Sequence, residues 1–600
     1  MSKVYNVFLF FLFANLVVSQ NTTYVHSHND YSQAVPFWNA FSAGANSIEV
    51  DVFLKNNTLY ATHSKADIIE GRTIENLYLE PLQKVVSLKL GDNQNIQLLI
   101  DVKSEAYKTL DKIIEILKKY PDLIKNNKIG FIISGNRPKP DDYKNYPEYI
   151  TFDYQSLDPI SDEAWEKVAL ISLDFAQFSS WNGKGRLIKE EKEKIIAVIK
   201  TAHSYKKPFR FSNKMLFRFW GTPDSKTAWK CFVDLGVDFI CTDHPFACIN
   251  YVKSLPQRVY TNQVFSEVYT PSFQYDQKSK PVKNVILLIG DGNGLTQLSS
   301  ATLANKGSLT ITQLKSIGFI KTQSADDFTT DSAAAGTALA TGQKTYNRAI
   351  GVDTYGNPLI NITEIAQKNH FKTGIITTDD VTGATPAAFY AHQKDRGEEY
   401  KIAQDLLKSN LNLFIGGGKN QFKDFGNFEI LDSPKMISES KSNKIGFFMS
   451  DKAVLGVLEG RANLLAEVTA NSLIYFKAKE QPFFLMVEGA QIDSYGHMNK
   501  VSGIVSEGID FDKAVTEAIK FADANEGTLV IITADHETSG FSIPQGDLKK
   551  HQIEGGFTTQ DHTGTLVPIF AYGPHSDEFA GVYENNEVFH KILSILKLSK

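Results

Sequence analysis

Four apolar runs in the second half of the chain each lead into acidic residues. The runs VILLI, GIITT, FFLMV and LVIIT are apolar on both faces, which is typical of a parallel sheet covered by helices on both sides. In open α/β sheets, ligands bind beyond the carboxyl ends of the strands. The residues found there are Asp291, Asp379 with Asp380, Glu488, and Asp535 with His536. Acids gathered at one edge repel one another unless cations neutralise them, so the sequence predicts a site for several metal ions.

Imidazole and further carboxylate groups follow the same strands. Asp493 and His497 stand four residues apart in VEGAQIDSYGH, which puts them on one face of a helical turn. His562 lies in QDHTG. Mixtures of Asp and His suit zinc, whereas carboxylate and hydroxyl oxygens suit magnesium. Each histidine taken alone would more often be a surface or hydrogen-bonded core residue, but together with the acidic strand ends they are predicted metal ligands.

Ser332 is the candidate nucleophile. It precedes a run of small residues in TTDSAAAGTALATG, which predicts a helix whose N-terminus faces the same sheet edge. The free N–H groups and the dipole of that helix would hold a phosphate oxygen. A serine hydroxyl is a poor nucleophile near neutral pH, but a bound zinc ion can deprotonate it. A role for Ser332 as the helix N-cap is compatible with this interpretation.

Six motifs in this half occur in the order of a known family. VILLIGDGNG, TTDSAAAGTALATG, ATPAAFYAHQKDR, VEGAQIDSYGH, TADHETSGF and DHTGTLVPIFAYGP resemble the alkaline phosphatase family along residues 284–600. The resemblance implies a phosphomonoesterase that carries two zinc ions and one magnesium ion and reacts through a phosphorylated Ser332. It also implies that Arg396 clamps two phosphate oxygens.

The same resemblance implies a set of ligands for each metal. The first zinc would be bound by Asp493, His497 and His562. The second zinc would be bound by Asp291, Asp535 and His536, with Ser332 as its reacting ligand. The magnesium would be bound by Asp291, Thr385 and Glu488. A phosphodiesterase or sulfatase of the same superfamily is the alternative, but Thr385, Glu488 and Arg396 together suit the extra charge of a monoester dianion.

Two positions depart from the family pattern. Gly383 stands where relatives usually have Asp or His, so the outer magnesium shell is expected to lack a side chain, and Gly383→Asp is expected to tighten magnesium. Ser494 stands where relatives often have Lys or His near the phosphate. We expect altered metal affinity and pH dependence without loss of the basic reaction.

The first half of the chain contains eight short β-type runs. Helical stretches such as Ala106–Lys119 and Glu190–His203 lie between several of them, and eight strands with helical crossovers predict a (β/α)₈ TIM-type barrel. The predicted strands are Tyr24–His26, Ile48–Val52, Leu98–Val102, Phe131–Ser134, Ile150–Phe152, Leu170–Leu173, Phe209–Ser212 and Phe239–Thr242. We assign residues 20–255 to the barrel, the polar, proline-punctuated residues 256–283 to a linker, and residues 284–600 to the α/β domain.

Polar side chains also mark the predicted barrel strands. Glu49 and Asp51 share one face of a strand in SIEVDVF, and Asp101 and Lys103 repeat the spacing in LLIDVK. His26 ends the first strand. The remaining candidate is His63, which follows LYAT. Three carboxylates with two histidines suit one divalent cation, Ca²⁺ or Mg²⁺, beside an acid/base pair, while the alternative is a polar barrel interior with paired acids.

This pattern, closed by CTDHP, resembles the glycerophosphodiester phosphodiesterase and phosphatidylinositol phospholipase C-like barrel superfamily over about residues 24–250. His26-Ser27-His28 replaces the usual His-Arg-Gly, so the arginine that would meet the phosphate is missing, and Lys103 or Arg137 could replace it. The third metal acid is Asp101, where Glu is common. The resemblance implies phosphodiester cleavage, and the alternative is a non-catalytic module that docks the phosphatase onto its substrate.

The N-terminal residues and the net charge indicate where the protein acts and what it binds. Residues 1–19 have the pattern of a secretory signal, which predicts export to the periplasm or the extracellular space. The net charge of −5 argues against a nucleic-acid partner, and no later run is long and apolar enough for a membrane helix. The expected partners are small phosphate esters, and a homodimer is left open. The whole chain is interpreted as a bifunctional enzyme for phosphate scavenging.

Overall fold

The computed structural model describes residues 23–91, 94–205, 214–263 and 265–599. The predicted secretory signal at residues 1–19 lies outside the described residues. The chain divides into two compact units, with the division between Ser254 and Leu255. No helix in the described part of the chain is long and apolar enough to cross a membrane.

The first unit is a closed barrel of eight parallel strands, so the predicted (β/α)₈ fold is confirmed. The strands follow the order β1-β9-β8-β7-β6-β5-β4-β2, and β1 pairs with β2 to close the barrel, while β3 forms an antiparallel hairpin with β2. The strands are β1 (Tyr24–Ser27), β2 (Ser47–Lys55), β3 (Thr58–Ala61), β4 (Ile96–Val102), β5 (Ile129–Gly135), β6 (Ile150–Tyr154), β7 (Val168–Asp174), β8 (Leu216–Trp220) and β9 (Phe239–Thr242).

Helices connect most of the barrel strands. They are α1 (Trp38–Ala43), α2 (Glu80–Ser87), α3 (Ala106–Leu117), α4 (Pro121–Lys125), α5 (Asp162–Trp165), α6 (Lys189–Ser204), α7 (Lys226–Leu235) and α8 (Pro245–Arg258). The predicted strand Phe209–Ser212 lies outside the described residues, and the strand that pairs with β7 is β8. Asp51 and Asp101 are neighbours in the register of β2 and β4. The alternation of side chains therefore places Glu49, Asp51 and Asp101 on the same face of the barrel wall.

The second unit is built on a ten-stranded, mostly parallel sheet, which confirms the predicted α/β fold. Its order is β15-β16-β14-β13-β17-β11-β18-β23-β12-β24, and two smaller sheets, β10-β21-β20 and β19-β22, flank it. The strands are β10 (Val259–Thr261), β11 (Asn284–Gly290), β12 (Ser316–Lys321), β13 (Lys372–Asp380), β14 (Leu413–Gly417), β15 (Glu429–Leu431), β16 (Ile445–Phe448), β17 (Phe483–Gly489), β18 (Thr528–Thr533), β19 (Glu537–Thr538), β20 (Ser542–Asp547), β21 (Gln552–Gly556), β22 (His562–Thr563), β23 (Val567–Tyr572) and β24 (Gly581–Glu584).

Helices cover both faces of this sheet, which is why its strands are apolar throughout. In β11, Ile286 and Leu288 pack into one apolar cluster, and Val285, Leu287 and Ile289 pack into the other. The helices are α9 (Leu295–Ala304), α10 (Ser332–Thr341), α11 (Ile362–Lys368), α12 (Ala384–Ala387), α13 (Glu399–Lys408), α14 (Pro434–Glu439), α15 (Leu464–Lys477), α16 (Gln491–His497), α17 (Val501–Ala524) and α18 (Glu587–Leu596).

The residues predicted as a linker pack against the second unit. Strand β10 pairs with β21. The Tyr269 hydroxyl donates a 2.7 Å hydrogen bond to Asp523, which also accepts bonds from the backbone and side chain of Ser272. Asp276 accepts bonds from the Gly573 N–H, at 3.0 Å, and from the Ser576 hydroxyl, at 2.7 Å. Much of residues 256–283 is therefore an ordered layer of this unit.

Candidate active sites

The acidic strand ends of the second unit meet at one edge of its sheet. Strand β11 lies between β17 and β18, and Ile289 is in register with both Glu488 and Thr533. Asp291 follows β11 and its N–H bonds to the Gly489 carbonyl at 3.1 Å. Glu488 and Asp535 are then brought beside Asp291 by the neighbouring strands. The convergence expected from the sequence is the arrangement that the sheet produces.

One group of ligand-type side chains surrounds Asp493. Its Oδ2 lies 3.2 Å from His497 Nε2, and its Oδ1 lies 3.5 Å from His562 Nε2. The two Nε2 atoms are 3.2 Å apart. The opposite nitrogens are occupied, because Nδ1 of His497 donates to the Gln560 carbonyl and Nδ1 of His562 donates to the Thr330 carbonyl. Fixing the outer nitrogen in this way turns the inner nitrogen toward a metal position.

A second group consists of Asp291, Asp535 and His536, whose ligand atoms lie within 4.8 Å of one another. His536 Nε2 is 3.4 Å from Asp291 Oδ1 and 3.2 Å from Asp535 Oδ2. Both carboxylate oxygens are buried and accept no hydrogen bond from any described residue. Buried oxygens without a donor are costly unless a cation binds them. This group therefore fits a metal ion.

Ser332 begins helix α10 between these groups. The N-cap is Asp331 rather than Ser332, and Asp331 Oδ1 accepts a 3.0 Å bond from the Ala334 N–H. Ser332 Oγ lies 3.3 Å from His536 Nε2. Arg396 is held beside it because its Nη1 contacts Asp331 Oδ2 at 3.2 Å. A hydroxyl, a guanidinium and a helix N-terminus are thus gathered at one place.

Glu488 belongs to β17, which pairs with β11 on the edge opposite to β18. Thr385 belongs to the same proposed site. Glu488 accepts a hydrogen bond from the Thr377 hydroxyl on the neighbouring strand. Thr385 is buried on α12, and its hydroxyl lies close to the Glu488 carboxylate. A hydroxyl beside buried carboxylates suits a magnesium ion.

The protonation of this edge reflects its crowding. Burial raises the pKa of Glu488 to about 8, with a contribution from Asp379, and burial with the charge of Asp493 raises the pKa of Asp535 to about 6. Burial alone would raise the pKa of Asp493, but its hydrogen bond with His497 and the nearby imidazoles lower it. The hydrogen bond with Asp493 raises the pKa of His497 to about 9. The metal-free site therefore retains protons that bound cations would displace.

The two departures from the family pattern have different surroundings. A Cβ atom at Gly383 would lie 2.2 Å from Asp379 Oδ2, so a carboxylate already fills the space beside this glycine. Ser494 lies half-buried on α16, next to Asp493.

In the barrel, the ligand atoms of Glu49, Asp51 and Asp101 lie within 4.8 Å of one another. One oxygen of Asp51 and one of Asp101 are buried and accept no hydrogen bond within the described ranges. The two predicted histidines bond to this group: His26 Nε2 lies 2.7 Å from Glu49 Oε2, and His63 Nδ1 lies 2.7 Å from Asp51 Oδ2. The structure thus brings together the acids and the histidines that the sequence selected.

Of the two cations expected at the barrel site, Lys103 contacts its acids and Arg137 bonds to a backbone carbonyl. Lys103 Nζ lies 3.4 Å from Asp51 and 3.2 Å from Asp101, whereas Arg137 donates to the Gly135 carbonyl at 2.8 Å. The cation that the sequence missed is Arg218 on β8, which is 3% exposed. The sequence feature that could have revealed it is the single charged residue in the otherwise apolar run LFRFW.

Arg218 connects three of the barrel's inward side chains. Its Nη1 lies 2.6 Å from His26 Nε2 and 3.4 Å from Glu49 Oε2, and its Nη2 lies 3.3 Å from Asp153 Oδ2. Burial and the guanidinium lower the pKa of His26 to about 4. Burial and the charge of Glu49 raise the pKa of Asp101 to about 6.

A family model described as alkaline phosphatase matches residues 282–430, 433–548 and 544–598, which together make up more than half of the chain. The chain belongs to the alkaline phosphatase family. The matched residues include every predicted metal ligand of the second unit, together with Ser332 and Arg396. The family recognised from the six sequence motifs is therefore confirmed.

Relatives of known name or structure match the alkaline phosphatase unit over nearly their whole length. Alkaline phosphatase 4 of Bacillus subtilis is 29% identical in an alignment 418 positions long, and the match covers 54% of this chain and 91% of that protein. The structure of alkaline phosphatase from the Antarctic bacterium TAB5 is 43% identical, with a TM-score of 0.51, and covers 54% of this chain and 100% of its own. A mutant of that protein with Mg bound in the M3 site is 42% identical, with the same TM-score and coverage.

Two further family models match the unit that precedes the alkaline phosphatase. An AIM6-like phosphodiesterase domain matches residues 15–93, and a glycerophosphoryl diester phosphodiesterase family matches residues 217–245. The first range contains His26, Glu49, Asp51 and His63, and the second contains Arg218. The phosphodiesterase-like character predicted for the barrel is confirmed.

Proposed function

We propose that the second unit hydrolyses phosphate monoesters through a phosphorylated Ser332. The observation that supports this most directly is the position of Ser332 at the N-terminus of α10, with its Oγ 3.3 Å from His536 Nε2. Small phosphate esters are the proposed substrates. The anionic phosphate would lie against the first N–H groups of the helix and the Arg396 guanidinium.

The side chains at this edge would hold two zinc ions and one magnesium ion. Asp493, His497 and His562 would bind the first zinc; Asp291, Asp535 and His536 would bind the second; and Asp291, Thr385 and Glu488 would bind the magnesium. When bound, these cations supply Lewis-acid stabilisation of negative oxygens and lower the pKa of the Ser332 hydroxyl.

The reaction then follows from the side chains. Ser332 Oγ, without its proton, attacks phosphorus; the Oγ–P bond forms and the bond from phosphorus to the leaving alcohol breaks. Arg396 binds the phosphoryl oxygens and keeps the group in line. In the second step a water oxygen bonds to phosphorus, the P–Oγ bond breaks, and Ser332 regains a proton while inorganic phosphate leaves.

Ser332→Ala tests this proposal. We expect the monoester kcat to fall by about 1000-fold or more because the nucleophile is lost, while zinc content measured by elemental analysis is unchanged. The matched control is Ser299→Ala, at a half-buried serine on α9 whose hydroxyl donates to the Leu295 carbonyl, which should retain full activity. Mass spectrometry after acid quenching should find a phosphoryl group on the Ser332 peptide. Near-wild-type turnover by Ser332→Ala would overturn the assignment.

Metal removal tests the cofactors. Chelation should abolish monoester hydrolysis, and zinc together with magnesium should restore it. His562→Ala should lower zinc content by removing a ligand of the first zinc, while zinc at the Asp291, Asp535 and His536 group remains. Active enzyme that contains no zinc by elemental analysis would contradict this proposal.

The barrel is a second candidate catalytic unit. The observation that favours it is the group of Glu49, Asp51 and Asp101, whose donor-free oxygens would hold one Ca²⁺ or Mg²⁺ ion. We propose that His26 and His63 serve as the acid/base pair and that Lys103 binds the substrate phosphate; Arg137, directed to a backbone carbonyl, is the weaker candidate for that role. The alternative is a barrel that only docks the phosphatase onto substrate.

The proposed setting is phosphate scavenging outside the cytoplasm. A diesterase releases a phosphomonoester, and a phosphomonoesterase converts it to phosphate, so the two units would act in sequence. Export by residues 1–19 to the periplasm or the extracellular space remains a prediction, as do the boundaries 20–255, 256–283 and 284–600 and a homodimer. Fractionation of the producing cells and light scattering of the purified protein test the location and the homodimer.

A further inference from the structure

Gly383 has no side chain for a reason of space rather than backbone conformation. Its φ of −55° and ψ of 157° are open to any residue. A Cβ atom there, however, would lie 2.2 Å from Asp379 Oδ2 and 2.9 Å from Asp379 Cγ. Such distances are far inside van der Waals contact. The glycine and the position of the Asp379 carboxylate are therefore linked.

Strand β13 directs Asp379 toward the proposed magnesium ligands. Thr377 is in register with Glu488 on β17, and its hydroxyl donates to the Glu488 carboxylate. Asp379 comes two residues later, where the register of β13 shifts, and its N–H donates to Thr377 Oγ1 at 2.8 Å. Thr385, whose buried hydroxyl lies close to the Glu488 carboxylate, comes two residues beyond Gly383.

We propose that Asp379 is a further acidic residue of the magnesium site, and that Gly383 is small so that this carboxylate can face Glu488 and Thr385. Asp379 would contact the ion or one of its water molecules, since Mg²⁺ retains several waters in proteins. This inference rests on the magnesium site proposed above. A carboxylate added at residue 383 would collide with Asp379 instead of entering an empty shell, so Gly383→Asp is not expected to tighten magnesium.

The experiment measures magnesium binding to the zinc-loaded full-length protein by isothermal titration. Asp379→Asn, which keeps the shape and removes the charge, should raise the magnesium Kd by about tenfold or more and leave zinc content unchanged. The matched control is Asp380→Asn, the adjacent carboxylate, which accepts a hydrogen bond from Gln421 at 2.9 Å. Its magnesium Kd should stay within about twofold of the wild type.

A double-mutant cycle tests the link to Gly383. Gly383→Ala should weaken magnesium because its methyl group displaces the Asp379 carboxylate, and adding Asp379→Asn should then cause little further loss. Fully additive effects would overturn the proposed pairing. The melting temperature without magnesium, which Asp379→Asn should not lower, verifies that the protein folds.

Glu488→Gln separates this inference from the proposed function. If Glu488→Gln abolishes magnesium binding while Asp379→Asn leaves it unchanged, the role of Asp379 is overturned and the magnesium site stands. If neither substitution changes the magnesium Kd, the proposed magnesium site and the inference fall together. Weaker binding by both variants, with Asp380→Asn unchanged, supports the inference.

Discussion

Arg218 is the buried cation of the barrel interior, and its removal should destabilise the barrel. Arg218→Met would leave Glu49 and Asp153 buried without their guanidinium partner, which we expect to cost about 3 kcal/mol of unfolding free energy. All five tryptophans lie before residue 230, so tryptophan fluorescence during urea denaturation reports on the barrel unit.

The matched control for Arg218→Met is Lys189→Met. Lys189 lies 3.8 Å from Glu193 in a strongly exposed pair, and its loss should change stability by less than about 0.5 kcal/mol. Equal urea midpoints for Arg218→Met and the wild type would show that the guanidinium does not stabilise the acids.

Glu488 should make the metal-free phosphatase unit less stable as the pH rises. Burial and the charge of Asp379 raise its pKa from 4.5 to about 8. The folded protein then holds a proton that the unfolded chain releases, so this contribution to stability is complete below pH 4.5 and is lost as the pH rises through about 8. Urea denaturation followed by circular dichroism should show this loss, and tryptophan fluorescence identifies the separate unfolding of the barrel.

Two comparisons test whether Glu488 causes this decrease in stability with rising pH. Glu488→Gln should flatten the pH dependence of the metal-free protein, because the amide does not titrate. Added zinc and magnesium should flatten it as well, since a bound cation replaces the proton. A slope that Glu488→Gln leaves unchanged would assign the effect to other carboxylates.

At the scale of an element, helix α10 depends on Asp331 in two ways. Asp331 caps the helix through the Ala334 N–H and holds Arg396 through its other oxygen. Asp331→Ala should therefore cost about 1 kcal/mol of stability and raise the KM for monoesters, because Arg396 loses its partner. Steady-state kinetics and urea denaturation followed by circular dichroism measure the two effects.

Asp331→Asn separates these roles, since the amide oxygen still accepts the Ala334 N–H. It should retain most of the stability and still raise KM, because the charge that holds Arg396 is gone. If Asp331→Asn and Asp331→Ala lose the same stability, the cap does not contribute.

The elements differ in how far the sequence determines them. Strands β11, β13, β17 and β18 could be predicted because both of their faces are buried, so their apolar runs are uninterrupted. Strand β8 could not, since Arg218 points into the barrel and interrupts the apolar run LFRFW. The acids at the strand ends allowed the clusters of candidate metal ligands to be predicted. The close approach of Gly383 and Asp379 could not be predicted, because residue spacing does not encode this tertiary contact.

At the scale of the whole molecule, the two units should process a diester in sequence. With a glycerophosphodiester, the full-length protein should release inorganic phosphate, whereas Ser332→Ala should accumulate the monoester. Glu49→Gln with Asp51→Asn should block consumption of the diester and leave monoester hydrolysis intact, because it removes barrel ligands alone. Phosphorus NMR resolves diester, monoester and phosphate in one sample.

The opposite pattern would assign all catalysis to the phosphatase. If diester consumption survives Glu49→Gln with Asp51→Asn and disappears with Ser332→Ala, the barrel is a docking module. Lys189→Met serves as the barrel control, since its exposed side chain takes no part in the acidic group, and both reactions should proceed at wild-type rates.

The contacts of β10, Tyr269 and Ser272 with the second unit bear on where recombination could exchange the phosphatase with other proteins. A junction at residue 284 would remove β10 from β21 and separate Tyr269 and Ser272 from Asp523. A junction before Leu255 keeps these contacts within one inherited piece. Descendants that lose the barrel by deletion should therefore retain this segment as an N-terminal extension of the phosphatase.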